Sequence, residues 1–298
     1  MSDFRIGFLP LVDAALPIIA LEFGLAAREG ISIELHKDRT WAAVRDRLSY
    51  GQTDAAHMLA PLALAMALGL DRPPVPIGAP FMLGLNGNAF AISAALAAGH
   101  SLRFGPDIAE TGRKLADIAR ARMSQGHKLR IGVVHRYSSH NYILRYWLAA
   151  CGCDPDRDVD IIVVPPPSVA DAFAAGEIDG SCVGEPWNSV AVANGDAVIL
   201  ATTSQIWSRG VEKLLAFRTP VLNERRSEVE ALLRTLHAAG KVAADPAQRD
   251  AVVQLLARPE YIGQSADIIG RALAGTLIPA KGEEPVTVPD FLVFHREA

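Results

Sequence analysis

The sequence predicts an α/β protein of two similar lobes, each with a mostly parallel sheet flanked by helices. Three observations predict it. A short Ile-Gly strand opens each of two segments, a helix-like stretch and a second strand follow it, and both segments carry a Gly-x-x-Asp motif at the same distance. Strands that alternate with helices form parallel sheets through right-handed crossovers. Half of the 298 residues are hydrophobic, so a sizeable core can be buried.

The two segments match in register. The elements predicted are a strand at Ile6-Gly7, a helix over 14–28 and a strand over 31–35, then a strand at Ile131-Gly132, a helix over 140–150 and a strand over 159–164. Each Gly-x-x-Asp motif begins 45 residues after the Ile of its opening strand, and a proline that can open a helix follows each Asp by seven residues. These residues are Gly51, Asp54 and Pro61 in the first segment and Gly176, Asp179 and Pro186 in the second. So many matches in one register predict two βαβαβ units.

The remaining sequence suits two interleaved lobes. The apolar stretch 81–93, with a Gly/Asn-rich centre, is suited to a chain that crosses between lobes. Further elements predicted are helices over 94–128 and 224–244, strands over 197–202 and 214–218, and a Pro-rich tail from Pro279 that wraps the surface. We therefore expect lobe I to hold 1–88 and 205–298, and lobe II to hold 89–204. A ligand cleft is expected between them, at the carboxyl ends of the strands.

Composition excludes several classes of protein. The net charge of −4 and the pI of about 6.1 disfavour a basic surface that binds nucleic acid or a membrane. The apolar stretch 58–70 is shorter than the roughly 20 residues that cross a bilayer, and the opening MSDFRIGFLP lacks a signal-peptide pattern. We expect a cytoplasmic protein. The three cysteines fit a reducing compartment and lack zinc-site spacing, so no metal or cofactor is expected.

Several stretches resemble one family: GFLPLVDAALPIIA, TWAAVRDRLSYGQTDAAHMLAP, HNYILRYWLAACGCDP, VVPPP and DGSCVGEPWNSVAVANG. They are similar to the NrtA/CmpA nitrate- and bicarbonate-binding receptors of ABC transporters, and still more to the NasS-type cytosolic nitrate/nitrite sensors of that family. The resemblance covers roughly residues 4–220. It implies a type II periplasmic-binding-protein fold and a small oxyanion ligand.

The resemblance also implies the binding residues, which are Trp41, Asn88, His140, Lys213, Pro166 and Gly184. It sets Trp41 against one face of the anion and places His140 and Lys213 where nitrate receptors have His and Lys. Bicarbonate receptors have an acidic residue where Lys213 stands. Asn88 stands where nitrate receptors have Gln, so its contact is expected to be longer or water-mediated. Pro166 and Gly184 would line the cleft.

These side chains suit a planar monoanion, which needs one firm positive charge, neutral donors and a flat apolar wall. Lys213 supplies the charge, His140 and Asn88 donate, and Trp41 supplies the wall. Each residue also has an ordinary structural role: Trp41 as core, His140 as a helix cap, Lys213 as a solvated charge and Asn88 as a turn residue. His57, after the repeated Asp, is expected in an apolar helix-start region, where it packs or caps. It could instead face the cleft, which makes it a second-tier candidate.

Three functions follow from the sequence. The resemblance favours a cytosolic nitrate/nitrite sensor that sequesters a NasT-like, ANTAR-domain, RNA-binding antiterminator until ligand binds. The alternative is the substrate-binding component of a nitrate- or bicarbonate-type ABC transporter. A biosynthetic enzyme on the same fold is the third, and it would need His140 as an acid or base, with no carboxylate clearly placed to orient it. We expect a binding protein rather than an enzyme.

Overall fold

A computed structural model describes residues 2–294, so Met1 and the last four residues of the expected lobe I lie outside the described residues. The chain divides into two compact units. Among the described residues, the first unit holds 2–85, 211–273 and 292–294, and the second holds 86–210 and 274–291.

Thirteen strands are described between residues 2 and 294. They are β1 Ser2–Phe8, β2 Ile31–Lys37, β3 Ala55–Leu59, β4 Ile77–Asn86, β5 Asn88–Ser93, β6 Leu129–Val133, β7 Val159–Val163, β8 Gly180–Gly184, β9 Ala197–Thr202, β10 Val211–Arg218, β11 Thr276–Leu277, β12 Val286–Thr287 and β13 Leu292–Val293.

Fourteen α-helices accompany them in the same part of the chain. They are α1 Ala15–Glu22, α2 Leu25–Arg28, α3 Trp41–Ser49, α4 Ala60–Leu68, α5 Ala94–Gly99, α6 Ile108–Ser124, α7 Ser139–Ala150, α8 Val169–Ala174, α9 Trp187–Asn194, α10 Thr203–Ile206, α11 Thr219–Glu224, α12 Arg226–Ala244, α13 Arg249–Leu256 and α14 Ala266–Ala274. None of the helices described is long and apolar enough to cross a membrane.

The two sheets repeat one strand order. The first unit's sheet runs β13-β4-β10-β3-β1-β2, with β1 parallel to β2 and β3, and β10 antiparallel to β3. The second unit's sheet runs β7-β6-β8-β5-β9, with β6 parallel to β7 and β8, and β5 antiparallel to β8. Each sheet therefore has three parallel strands with the opening strand in the middle, followed by one antiparallel strand. This order confirms the internal repeat.

The Gly-x-x-Asp motif makes the same contacts in both units. Asp54 accepts a hydrogen bond from the backbone N–H of Arg5 at 2.9 Å, and Asp179 accepts one from that of Arg130 at 2.8 Å. In return, the backbone N–H of each Asp donates to the carbonyl of the same Arg at 2.8 Å. The motif thus joins the turn before the third strand to the opening strand. An Arg precedes Ile-Gly in both repeats, and this part of the repeat was not recognised from the sequence.

Three features differ from the expectations. The helix expected over 14–28 is broken into α1 and α2 because Gly24 takes a left-handed conformation with φ +66°. The segment 274–291 belongs to the second unit, although the expected lobe I included it, because the Ile199 N–H of β9 donates to the Pro279 carbonyl at 2.8 Å. His57 lies in strand β3 and not at a helix start.

Candidate functional site

The first unit gathers its buried polar groups at one edge of its sheet. Strands β1, β2 and β3 are parallel, so their carboxyl ends share an edge. Asp13 follows β1, Trp41 follows β2, and His57 is the middle residue of the five-residue strand β3. Strand β10 runs the other way, which sets Lys213 near its start against Leu59 at the end of β3. We call this edge, with Asp13, Trp41, His57, Glu212 and Lys213, the charged edge.

Trp41 opens helix α3. Thr40 is the N-cap, with extended backbone angles, and its side chain accepts a hydrogen bond from the Ala43 N–H at 3.1 Å. Trp41 is 1% exposed, and its indole contacts the His57 ring, with centroids 5.4 Å apart. Among residues 2–294 its Nε1–H has no hydrogen-bond partner. The indole therefore offers a buried donor as well as an apolar wall.

Lys213 lies between two carboxylates. Its Nζ is 2.7 Å from Asp13 Oδ2 and 2.8 Å from Glu212 Oε1, and it stands 5.3 Å from the centroid of the Trp41 ring. Asp13 Oδ1 also lies 3.0 Å from His57 Nε2. None of the four ionisable side chains is more than 3% exposed. Lys213 was expected to supply one firm positive charge, and the structure shows two carboxylate counter-ions beside that charge.

The protonation states follow from these contacts. Burial raises the pKa of the Asp13 carboxyl, but Lys213 and His57 outweigh burial and leave that pKa below its usual value. Burial lowers the pKa of the Lys213 ammonium, and the Asp13 and Glu212 carboxylates raise it by more. Burial is the largest influence on His57 and holds its pKa below the usual value. Asp13 and Lys213 are therefore charged at neutral pH, and His57 is neutral and donates its Nε2–H to Asp13.

Sequence reasoning missed Asp13 and Glu212 and gave His57 only second rank. A usable signal was present for two of them. Asp13 is a lone acid within the apolar stretch 8–20, and His57 is a lone polar residue within the buried strand β3. Since burial of a single ionisable group is costly, such interruptions indicate a partner elsewhere in the fold.

The second unit has a corresponding edge of different chemistry. Strands β6, β7 and β8 end there, and the antiparallel β5 begins there, so Asn88 at the start of β5 pairs directly with Gly184 at the end of β8. Helix α7, which holds His140, follows β6, and Pro166 follows β7. The buried Glu185 follows Gly184 at the same place. We call this edge, with Asn88, His140, Pro166, Gly184 and Glu185, the second edge. The second unit thus brings together four of the six expected binding residues.

Local hydrogen bonds hold the second edge in place. Ser138, and not His140, caps helix α7: its Oγ accepts from the Asn141 N–H at 3.2 Å and donates to the His135 carbonyl at 2.9 Å. His140 lies in the first turn, 1% exposed. The Asn88 carbonyl accepts from Thr203 Oγ1 at 3.2 Å, while Asn88 Nδ2 makes only a long contact, 3.5 Å, to the Asn86 carbonyl. The side-chain amide thus keeps donor capacity at this edge.

No group of three or more His, Cys, Asp or Glu side chains within residues 2–294 is placed to hold a metal ion.

Comparisons with known proteins agree with this arrangement. The sequence profile of the NMT1-like family matches residues 1–257. The nitrate import ATP-binding protein NrtC of Synechocystis sp. (strain PCC 6803) is 32% identical over 297 residues, which is 98% of this chain and 42% of the relative. The nitrate/nitrite binding protein NrtA of Synechococcus elongatus is 32% identical over 285 residues, 93% of this chain and 63% of the relative. This chain thus spans less than two thirds of either relative.

One solved structure has nearly the same fold. The crystal structure of the periplasmic nitrate-binding protein NrtA from Synechocystis PCC 6803 superposes with a TM-score of 0.89 at 25% identity, covering 99% of this chain and 76% of the other. Its fold is that of the periplasmic binding proteins, as the resemblance implied. The chain belongs to the NMT1-like family, as a relative of the NrtA binding proteins with the periplasmic-binding-protein fold.

Proposed function

We propose that this chain binds a small oxyanion, nitrate or nitrite, as the ligand-binding component of a nitrate-type import system. The observation that carries the proposal is the buried ammonium of Lys213 beside the Trp41 ring, at the carboxyl edge where ligands bind in parallel sheets. The similarity to NrtA, a nitrate/nitrite binding protein, supports the choice of ligand. We propose ligand contacts for Trp41, Asn88, His140, Lys213, Pro166 and Gly184.

The donors at the two edges suit an ion whose oxygens are weak acceptors. Lys213 has three N–H donors, and two carboxylates engage it, so one donor remains for a ligand oxygen. The Trp41 Nε1–H and the Asn88 amide add neutral donors. Pro166 and Gly184 present little side chain, which lets a ligand approach the backbone. The proposal assigns no catalytic residue.

The import role is favoured over the sensor role because the relatives reported above are named for nitrate import and nitrate binding. The two roles share the ligand and differ in the partner. An importer component binds membrane permease subunits, whereas a NasS-type sensor binds the ANTAR-domain antiterminator in the cytoplasm. Co-purification from native cells, with and without nitrate, distinguishes them. Recovery of permease subunits supports the proposal, and recovery of the antiterminator, released by nitrate, replaces the import role with the sensor role.

Calorimetric titration with nitrate, nitrite, bicarbonate and sulfate tests the ligand. We expect saturable binding of nitrate or nitrite. Asn88→Ala removes the side-chain amide without burying a new charge, so we expect a loss of affinity of at least about tenfold, in line with a lost hydrogen bond to a charged group. Asn194→Ala is the matched control, because Asn194 is an exposed residue at the far end of α9 in the same unit. Heat from bicarbonate or sulfate alone would discard the nitrate proposal.

A further inference from the structure

One buried side chain holds together three separate segments of the second unit. Asn86, the first residue of that unit, is 2% exposed. Its Nδ2 donates hydrogen bonds to the Ser208 carbonyl at 3.0 Å and to the Asp290 carbonyl at 2.8 Å, and its Oδ1 accepts one from the Gly210 N–H at 2.8 Å. Both amide hydrogens and the amide oxygen are thus engaged. The side chain therefore fastens to the start of the unit two segments that follow 122 and 204 residues later.

These hydrogen bonds hold a bend between two strands. β4 ends at Asn86 and β5 begins at Asn88, so only Gly87 separates the strands. Asn86 and Gly87 both have positive φ, 58° and 85°, a region that glycine enters freely and asparagine enters more readily than most residues. The Gly87 N–H adds a further tie, since it donates to the Phe291 carbonyl at 2.6 Å. The bend is thus fixed from several sides, and it sets the direction in which β5 starts.

Asn88, directly after the bend, has few side-chain contacts of its own. Its amide makes one long contact, from Nδ2 to the Asn86 carbonyl at 3.5 Å. Its Oδ1 is buried and has no hydrogen-bond partner within the part of the chain that the structure describes. The position of this amide therefore depends on the backbone, which the bend fixes on one side and the pairing of Asn88 with Gly184 fixes on the other.

We propose that Asn86 is a positioning residue, which fixes the bend and so holds the Asn88 amide where it donates to the oxyanion. The inference rests on the proposed function, because it presumes that Asn88 contacts the ligand. A donor that the protein already holds in place does not have to be ordered when the ligand binds, and such ordering costs affinity. The amide of Asn86 is fully engaged by backbone groups, so its contribution to binding acts through Asn88.

The experiment is a double-mutant cycle for nitrate binding, measured by calorimetric titration of the full chain. Asn86→Gly removes the three side-chain hydrogen bonds and leaves a residue that adopts positive φ freely. We expect it to lower nitrate affinity by about threefold to tenfold, no more than Asn88→Ala does, because it misplaces the same donor. In the Asn88→Ala background we expect Asn86→Gly to change the affinity by less than about twofold. A general structural effect of Asn86 would instead lower the affinity equally in both backgrounds.

Two further variants separate positioning from loss of stability. Leu115→Ala, in helix α6 of the same unit, removes a fully buried core side chain and destabilises the fold by leaving a cavity. It does not alter the bend, so we expect its nitrate affinity to stay within about twofold of the native value. Gly87→Ala keeps the hydrogen bonds of Asn86 but strains the bend, because alanine disfavours a φ of 85°. It should lower the affinity only where Asn88 is present, and it replaces Asn86→Gly if that variant does not fold.

Three outcomes overturn the inference, and they are distinguishable. If nitrate binds and Asn86→Gly causes no loss of affinity, or the same loss in both backgrounds, only this inference falls. If nitrate binds and Asn88→Ala leaves the affinity unchanged, the ligand contact of Asn88 falls together with this inference. If nitrate does not bind the native protein, the proposed function falls, and this inference falls with it.

Discussion

The two units share a strand order and differ in the side chains at the carboxyl edge of the sheet. Both place an opening strand between two parallel neighbours, and both tie that strand to the turn before the third strand with an Asp on a backbone N–H. At the carboxyl edge, however, the first unit presents Asp13, Glu212 and Lys213, while the second presents Asn88, His140 and Glu185. The repeat therefore conserves the contacts that build the sheet and varies the side chains at its carboxyl edge.

The comparison predicts that the charged edge is the less tolerant of change. Lys213→Met removes the ammonium that contacts both the buried Asp13 and the buried Glu212 carboxylates, so we expect a loss of about 3–5 kcal/mol in the free energy of unfolding. Urea denaturation measures it. Adding Glu212→Gln to Lys213→Met removes one of the two charges and should restore part of the loss. A loss below about 1 kcal/mol would mean that the ion pairs contribute little here.

The shared motif should behave alike in both units. Asp54→Asn and Asp179→Asn each weaken a charge-assisted hydrogen bond to a backbone N–H and the contacts of the carboxylate with arginines, which are Arg5 for Asp54 and Arg122 for Asp179. We expect each to cost about 1.5–3 kcal/mol in the free energy of unfolding. Chemical denaturation of the two single variants checks it. A large loss in one unit and none in the other would show that the matching geometry conceals different energetics.

Protonation of His57 tests the charged edge of the first unit. Burial holds the pKa of His57 in the folded protein below its unfolded value of about 6.5, so the unfolded state binds the proton more readily. The stabilising contribution of neutral His57 is present above that value and is lost as the pH falls below it, by up to about 1.4 kcal/mol per pH unit. Unfolding free energies measured between pH 7.5 and 5 should show this slope. In His57→Gln the slope should diminish, and an unchanged slope would assign it to other groups.

The repeat explains how far the sequence could predict the structure. Strand order and parallel pairing follow from alternating elements and from Gly-x-x-Asp segments at equal spacing, which are local patterns. The break at Gly24 also has a local cause, but the sequence does not show whether a glycine within an apolar helical pattern takes a positive φ. The position of 274–291 depends on pairing between β11 and β12 and on the long-range contact of Ile199 with Pro279, which no short window of sequence shows.

The positions of the expected binding residues in the fold were predictable in part for the same reason. Trp41, Asn88, His140, Pro166 and Gly184 fall at strand or helix ends that a repeat of parallel strands brings to its carboxyl edges. The environment of Lys213 was not predictable, because its counter-ion Asp13 is 200 residues away in the sequence. Glu212, its direct neighbour, would point away from it in a regular strand, and only the shift in register brings the two side chains together.

The smallest effect we expect is the difference in stability lost when the N-cap of α3 or the N-cap of α7 is removed. Thr40 accepts one hydrogen bond, from the Ala43 N–H, so Thr40→Ala should cost about 1 kcal/mol in the free energy of unfolding. Ser138 both accepts from the Asn141 N–H and donates to the His135 carbonyl, and it is fully buried. Ser138→Ala should therefore cost about 1 kcal/mol more than Thr40→Ala, because a second hydrogen bond is lost.

Denaturation of Thr40→Ala and Ser138→Ala under one set of conditions measures the difference. Thr235→Ala is the control for the loss of a buried hydroxyl within a helix, because the Thr235 hydroxyl donates to the Ala231 carbonyl of the same helix, α12. Equal losses for the two caps would show that the bond from Ser138 to His135 adds no stability. The start of α7 would then be held by its cap alone, as α3 is, and the two edges would differ in the chemistry they present but not in how firmly their helices begin.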